Sequence, residues 1–300
     1  MVLGIAIGLV TALGHSLAYL AARWFTHDRG RPSGQLLAHG HTVLGLVGLA
    51  ALPWAWPTGL GWERAWVLPF VALVLLFVVA QTCLILSLRF ADASRVAPLI
   101  SLKLAILGTI SVLQGQPLSV SQWTAVLAAM VAAVVLSGVG GRMSGKAIGL
   151  VLLACFFYAL CDTMIIWTIE AARQITGDRS PMGVPLWCAA LAYVGIGGFA
   201  VLLLPIWGSR SPAAWRDALP YCAAWILAIT TLYATFANLG VVFGAILQSF
   251  RGLISIGLGV VLAQLGWHHL EEKHGASVVL RRLAAAALMT AAVVMYVWQG

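Results

Sequence analysis

An all-α integral membrane protein of ten transmembrane helices, built as two inverted five-helix repeats, is the fold this sequence predicts. Three observations carry that expectation. The chain of 300 residues is 62% hydrophobic and 9% charged, with a mean hydropathy of +0.99. Ordinary globular domains carry about 25% charged residues, so too few remain here to cover a water-facing surface, and lipid is the expected outer solvent. Ten apolar stretches recur, each close to the ~20 residues a spanning helix needs. Finally, two cations, Lys103 and Arg251, fall inside apolar stretches at corresponding places in the two halves.

Cutting the chain at charges, prolines and glycines gives spans at 2–23, 38–57, 66–88, 94–114, 121–140, 147–169, 185–207, 218–238, 241–266 and 280–298. The first could be misread as a secretory signal. It lacks a basic leader and an A-x-A-type cleavage site, and is expected to be retained. The fourth and fifth are separated by Gln114-Gly115-Gln116-Pro117-Leu118-Ser119, which reads as a turn. The eighth and ninth meet almost without a loop at Asn238-Leu239-Gly240. The Gly-rich stretch 139–145 is the natural seam, so 1–140 is expected to form the first repeat and 141–300 the second.

Charge sets orientation. Counting Arg23, Arg29, Arg31, Arg89, Arg95, Arg142, Lys146, Arg210, Arg216, Lys273, Arg281 and Arg282, the odd-numbered loops hold 12 Lys or Arg, against 3 (Arg64, Arg173, Arg179) in the even-numbered loops. Basic loops stay in the cytoplasm, which places both termini in the periplasm of a bacterial-type inner membrane. The formal charge of +8 is scattered over short loops, so it is topogenic and implies no nucleic acid. The five cysteines fall inside apolar runs without a C-x-x-C pair and read as small core hydrophobes. Tryptophans at span ends (Trp24, Trp54, Trp56, Trp62, Trp66, Trp207, Trp215, Trp298) read as an interfacial belt.

The halves share short words in order. Ala6-Ile7-Gly8-Leu9-Val10 returns as Ala147-Ile148-Gly149-Leu150-Val151, Phe90-Ala91-Asp92 as Phe236-Ala237-Asn238, and Ser101-Leu102-Lys103 as Ser249-Phe250-Arg251. An odd number of spans per half inverts the second half relative to the first. Inverted repeats place their site near the midplane where the repeats meet.

Ionisable groups at membrane depth cost at least ~3 kcal/mol and mark substrate or ion paths. Lys103 stands about ten residues (~15 Å) from either end of its stretch, too deep for its stem to reach the interface. Arg251, flanked at helical spacing by Gly244, Gln248 and Ser255, cannot shed its proton. Either cation could instead serve a structural ion pair. Gly252, Gly257 and Gly259 read as close-packing positions. Asp162 is the one acid well inside a predicted span and the first candidate counter-charge. His15 titrates near neutral pH unless packing holds it. Gln81, Thr82, Tyr158, Tyr233 and Asn238 are weaker lining candidates with an equally good core reading. The run Trp267–His274 lacks H-E-x-x-H order and reads as a solvated loop rather than a metal site. No Walker sequence occurs, and no cofactor is expected.

The residues LSLRFADASRVAPLISLK and GQPLSVSQW, followed by an Ala/Val run, resemble the end of an EamA-type repeat of the drug/metabolite transporter superfamily. The second half is similar through LYATFANLG and ILQSFRGLISIGLG, so the resemblance covers nearly the whole chain. It implies ten helices in two inverted repeats and a secondary transporter working by alternating access. Two departures stand out. Gly115-Gln116 replaces the family's Gly-Glu pair, and the loop after the second span holds only Glu63 and Arg64 where better-known members are basic and keep both termini in the cytoplasm. Triose-phosphate translocators of the superfamily hold phosphate with Lys and Arg on the corresponding helices. The resemblance therefore implies an anionic solute (an amino acid, organic acid or sugar phosphate), exported or exchanged, with proton coupling left open. A flippase or accessory membrane subunit for a lipid-linked sugar is the alternative. An intramembrane enzyme would need converging acids or a nucleophile with its base, and is not expected.

Overall fold

The computed structural model describes residues 1–87, 90, 96, 99–137, 143–264 and 276–297. The described residues form helices and connecting turns. They are α1 (Val2–Arg23, continued by a π-helical turn Trp24–Asp28), α2 (Ser33–Ala55), α3 (Arg64–Ser87), a 3₁₀ turn Ile100–Leu102 leading into α4 (Lys103–Leu113), α5 (Val120–Ser137), α6 (Gly145–Thr176), α7 (Gly183–Trp207), α8 (Pro212–Leu239), α9 (Val241–Ser249), α10 (Arg251–Gln264) and α11 (Ala276–Val297). Six of these, α1 with its π turn, α2, α3, α6, α7 and α8, are long and apolar enough to cross a membrane, and four shorter apolar helices accompany them. Large apolar side chains such as Leu46, Leu49, Leu202 and Ile206 are more than half exposed. That surface suits lipid and not water, as expected of a membrane protein.

The helices gather into two compact units, residues 1–79 with 160–241, and 80–159 with 242–300. Each unit draws on both halves of the sequence, so the units cut across the repeat order. In the first unit α2 lies against α7 and α1 against α8, and small residues set both approaches. A Cβ built on Gly45 would stand 2.8 Å from the Gly197 Cα, and one on Gly14 would stand 2.8 Å from the Ala228 backbone. Without side chains at these points the backbones come close enough for dispersion to hold them. Trp66, Leu73, Ile165, Ile169, Val184, Trp187 and Phe236 fill the core between α3, α6, α7 and α8.

In the second unit the Ala-rich faces of α5 and α11 meet at Ala132, Ala285 and Met289. Ser121 Oγ donates to the Met295 carbonyl at 2.7 Å. Phe243 and Tyr296 stack with ring centroids 4.9 Å apart.

Several expectations change. α2 begins at Ser33, α6 continues to Thr176 and α8 begins at Pro212, beyond the apolar limits; in α6 and α8 the Arg173 and Asp217 charges taken in are paired internally. Arg173, read as a loop residue, is buried and donates to Glu170 at 3.0 Å, the Ala237 carbonyl at 3.0 Å and the Ser180 carbonyl at 3.3 Å. Asp217 is buried near the start of α8, where Arg31 donates to it at 2.7 and 2.9 Å. Asp162 is therefore not alone among helical acids.

Trp66 belongs to the core and not to the interfacial belt. Its ring is fully buried, and its Nε1 donates to the Gly61 carbonyl at 2.9 Å. Trp54 and Trp62 are exposed, as belt residues would be. A Cβ built on Gly257 would meet nothing within 4 Å among the described residues. Gly240, at φ 79°, makes the tight link from α8 to α9 that only a residue without Cβ adopts easily. Pro98, Gly259, Trp298 and the run 267–274 lie outside the described side chains.

Candidate functional site

The fourth and ninth stretches were expected to be helical around Lys103 and Arg251, and each carries a tightened turn just ahead of its cation. Ile100–Leu102 forms a 3₁₀ turn and Lys103 is the first residue of α4. α9 ends at Ser249, Phe250 interrupts the helix, and Arg251 is the first residue of α10. The Phe250 N–H bonds the Leu247 carbonyl at 3.1 Å, an i to i−3 contact like that of a 3₁₀ turn. A tightened turn inside an apolar stretch reorients the peptide dipoles and marks functional hinges.

Both cations belong to the second unit and both are 4% exposed. Each also acts electrostatically on one thiol, that of Cys155 in α6. The Cys155 Sγ donates to the Leu99 carbonyl at 3.4 Å and lies 3.8 Å from that of Ile100, which pins α6 beside the 3₁₀ turn. Packing around it is apolar, from Cys83, Val96, Ile100, Val151 and Ala154.

Other predicted site residues fall in the same unit. Gln248, on the last turn of α9, is buried, and Ser255, one turn into α10, is half-buried. Tyr158, three residues beyond Cys155 on α6, donates its hydroxyl proton to the Gln81 Oε1. Ser101 and Ser249, each two residues ahead of its cation, are buried, and the Ser249 Oγ bonds back to the Ile246 carbonyl at 2.6 Å.

Four predicted residues belong to the first unit instead. Asp162 is buried and acts electrostatically on Tyr233, also buried. His15 is buried in α1 with Nδ1 2.9 Å from the Thr11 carbonyl, and its ring meets Trp225 edge-on at 5.5 Å. Asn238 donates to the Pro181 carbonyl at 3.0 Å and to Ala234, a structural role at the end of α8.

Sequence reasoning passed over Cys155, read as a core hydrophobe. It also passed over the buried pair His39 and His41 in α2. The words Ser-x-Lys and Ser-x-Arg signalled the first. A His-Gly-His run inside an apolar span was the available signal for the second. All five cysteines are buried as free thiols.

No family model matches the chain, and no curated protein matches it. A solved structure described only as "Crystal structure of protein" is similar, with a TM-score of 0.73 at 18% sequence identity. The match covers 99% of this chain and 96% of that one. The likeness is one of fold.

Proposed function

We propose that the chain is a secondary transporter that moves a small anionic solute across a bacterial-type inner membrane by alternating access. The observation that carries the reading is the placing of Lys103 and Arg251 at two helix interruptions in one compact unit, both acting on Cys155. Two buried cations acting on one point favour an opposite charge there. A carboxylate or phosphate would supply that charge and accept hydrogen bonds from both side chains. Irregular backbone at membrane depth is found in transporters where it lines the binding cavity.

Ten spans in two inverted repeats complete the proposal. Counting α9 with α10 as the ninth span, an exchange of spans one to five with six to ten turns the α2–α7 and α5–α11 contacts into themselves. It turns α1–α8 into α6–α3. All four occur, at Gly45 and Gly197, at Ala132 and Ala285, at Gly14 and Ala228, and where Cys161 Sγ donates to the Leu73 carbonyl at 3.5 Å. The 12-to-3 charge bias supports both termini in the periplasm.

A thermal-stability scan of the purified protein tests the reading, because a ligand that binds only the folded state stabilises it. Amino acids, dicarboxylates and sugar phosphates are expected to raise the melting temperature. Stabilisation by organic cations alone would contradict it.

A further inference from the structure

Asp162 is 4% exposed and stands midway along α6, the continuous helix Gly145–Thr176. Val151, Cys155, Tyr158 and Asp162 recur at spacings of four, three and four, so they form one stripe of that helix. The stripe begins beside the cations, because Cys155 is the thiol on which both Lys103 and Arg251 act. It passes Tyr158, whose hydroxyl donates to Gln81, and reaches the carboxyl one turn later. Seven residues of helix, at ~1.5 Å each, separate Asp162 from Cys155 by ~10 Å.

An acid at membrane depth answers a cation or carries a proton. Tyr233 on α8 feels Asp162 together with Cys161 on α6 and with Cys188 and Tyr193 on α7. All of these groups are neutral when they hold a proton, so the cluster carries no charge once Asp162 is protonated. α3 adds Leu73 and Val74 to the same core. The other charged groups of α6 in this unit, Glu170 and Arg173, lie two to three turns further on and pair with each other at 3.0 Å.

An anion bound beside Cys155 and an ionised Asp162 are like charges on one helix face, and each disfavours the other. Protonation removes one of these charges and adds none. At ~10 Å and an effective dielectric of ~20, their repulsion is worth about tenfold in affinity.

We propose that Asp162 is the proton-binding site that couples protons to the anion, a reading that rests on the transporter proposal. Binding forms one O–H bond from a proton delivered by water and turns the carboxylate into a carboxylic acid, with no oxidation or reduction. With Asp162 ionised, its charge repels the solute along α6. With Asp162 protonated, the repulsion is gone. Linkage makes the effect mutual, so the proton tightens the anion by the same factor as the anion tightens the proton. Proton and anion therefore bind together, and falling pH strengthens anion binding.

Infrared spectra of the full chain in liposomes, read over a pH series with and without sulfate, test this. Sulfate is the probe because its own charge does not change over that range. A carbonyl band of a protonated carboxyl, absent from Asp162→Asn, is expected to fade as pH rises and to fade later when sulfate is present. Asp162→Glu moves the band, and identifies it should the first variant not fold. The sulfate concentration that half-saturates thermal stabilisation should be about tenfold lower at the acidic end for wild type, and Asp162→Asn should lose that slope. An Asp162 that stays ionised or stays protonated throughout would overturn the proposal, as would a titration that bound sulfate leaves unmoved. Failure of sulfate and of every carboxylate and phosphate to stabilise wild type would instead contradict the anion reading. The infrared titration without sulfate would still decide whether Asp162 takes a proton.

Discussion

Lys103 and Arg251 occupy equivalent positions: each is the first residue of a helix, each stands two residues after a buried serine, and both act on the thiol of Cys155. A residue placed between two cations can be used to imitate what they bind.

Cys155→Asp puts a carboxylate there. The built-in anion lies within the field of both cations, so the variant is expected to fold, insert and resist heat at least as well as wild type. It should also lose the stabilisation that added anions give wild type. Cys155→Ser adds no charge and should keep it. Melting curves with and without the best anion check both, and anion stabilisation that survives in Cys155→Asp would place the binding site elsewhere.

The two neighbouring glycines of α7 separate packing from composition. A Cβ on Gly197 would stand 2.5 Å from the Gly45 Cα, a backbone atom that cannot swing away, whereas one on Gly198 meets nothing within 4 Å. Overpacking of this kind costs about 1–3 kcal/mol. Gly197→Ala is expected to lower the melting temperature clearly, and Gly198→Ala to leave it within about a degree or raise it slightly through helix propensity.

Helix was legible in the sequence because hydropathy marks apolar helices: all ten apolar stretches hold described helix, and six of the helices are long and apolar enough to cross a membrane. Their interruptions were not. Phe250 is no helix breaker, and the break before Arg251 is a property of backbone hydrogen bonding that side-chain pattern does not encode. The ends of α6 and α8 were placed short because Arg173 and Asp217 read as water-facing. Burial became affordable only through partners distant in sequence, Ala237 for one and Arg31 for the other. Of the candidate site, Lys103, Arg251, Gln81, Tyr158, Gln248 and Ser255 fall in one compact unit, while Asp162, His15 and Tyr233 fall in the other. Sequence distance alone could not sort them, since Tyr158 and Asp162 are one helical turn apart.

The ion pairs at the head of α8 are unequal. Arg31 Nη2 lies 2.7 Å from Asp217 and is mostly covered, whereas Arg29 approaches only to 3.8 Å and is about half exposed. Solvent screens the second pair, which is worth under ~1 kcal/mol. Removing the first leaves a buried carboxylate poorly answered, at a cost approaching ~3 kcal/mol. Arg31→Gln should therefore destabilise the protein several times more than Arg29→Gln in a denaturation series.

Orientation has its own check. A reporter enzyme active only in the cytoplasm, fused after Gly300, should be silent if the basic loops lie inside. Strong activity would reverse the orientation and leave the helix packing untouched.

Transport in proteoliposomes by wild type, Lys103→Gln and Arg251→Gln tests the central claim most directly. Each variant keeps a hydrogen-bonding side chain and removes one positive charge, so each should fold and insert. Loss of a buried charge-assisted bond to an anion costs about 2–5 kcal/mol, and each variant should take up the carboxylate or phosphate substrate at least tenfold more slowly than wild type. Both variants transporting at the wild-type rate, or a preferred substrate that proves to be a cation, would contradict the account.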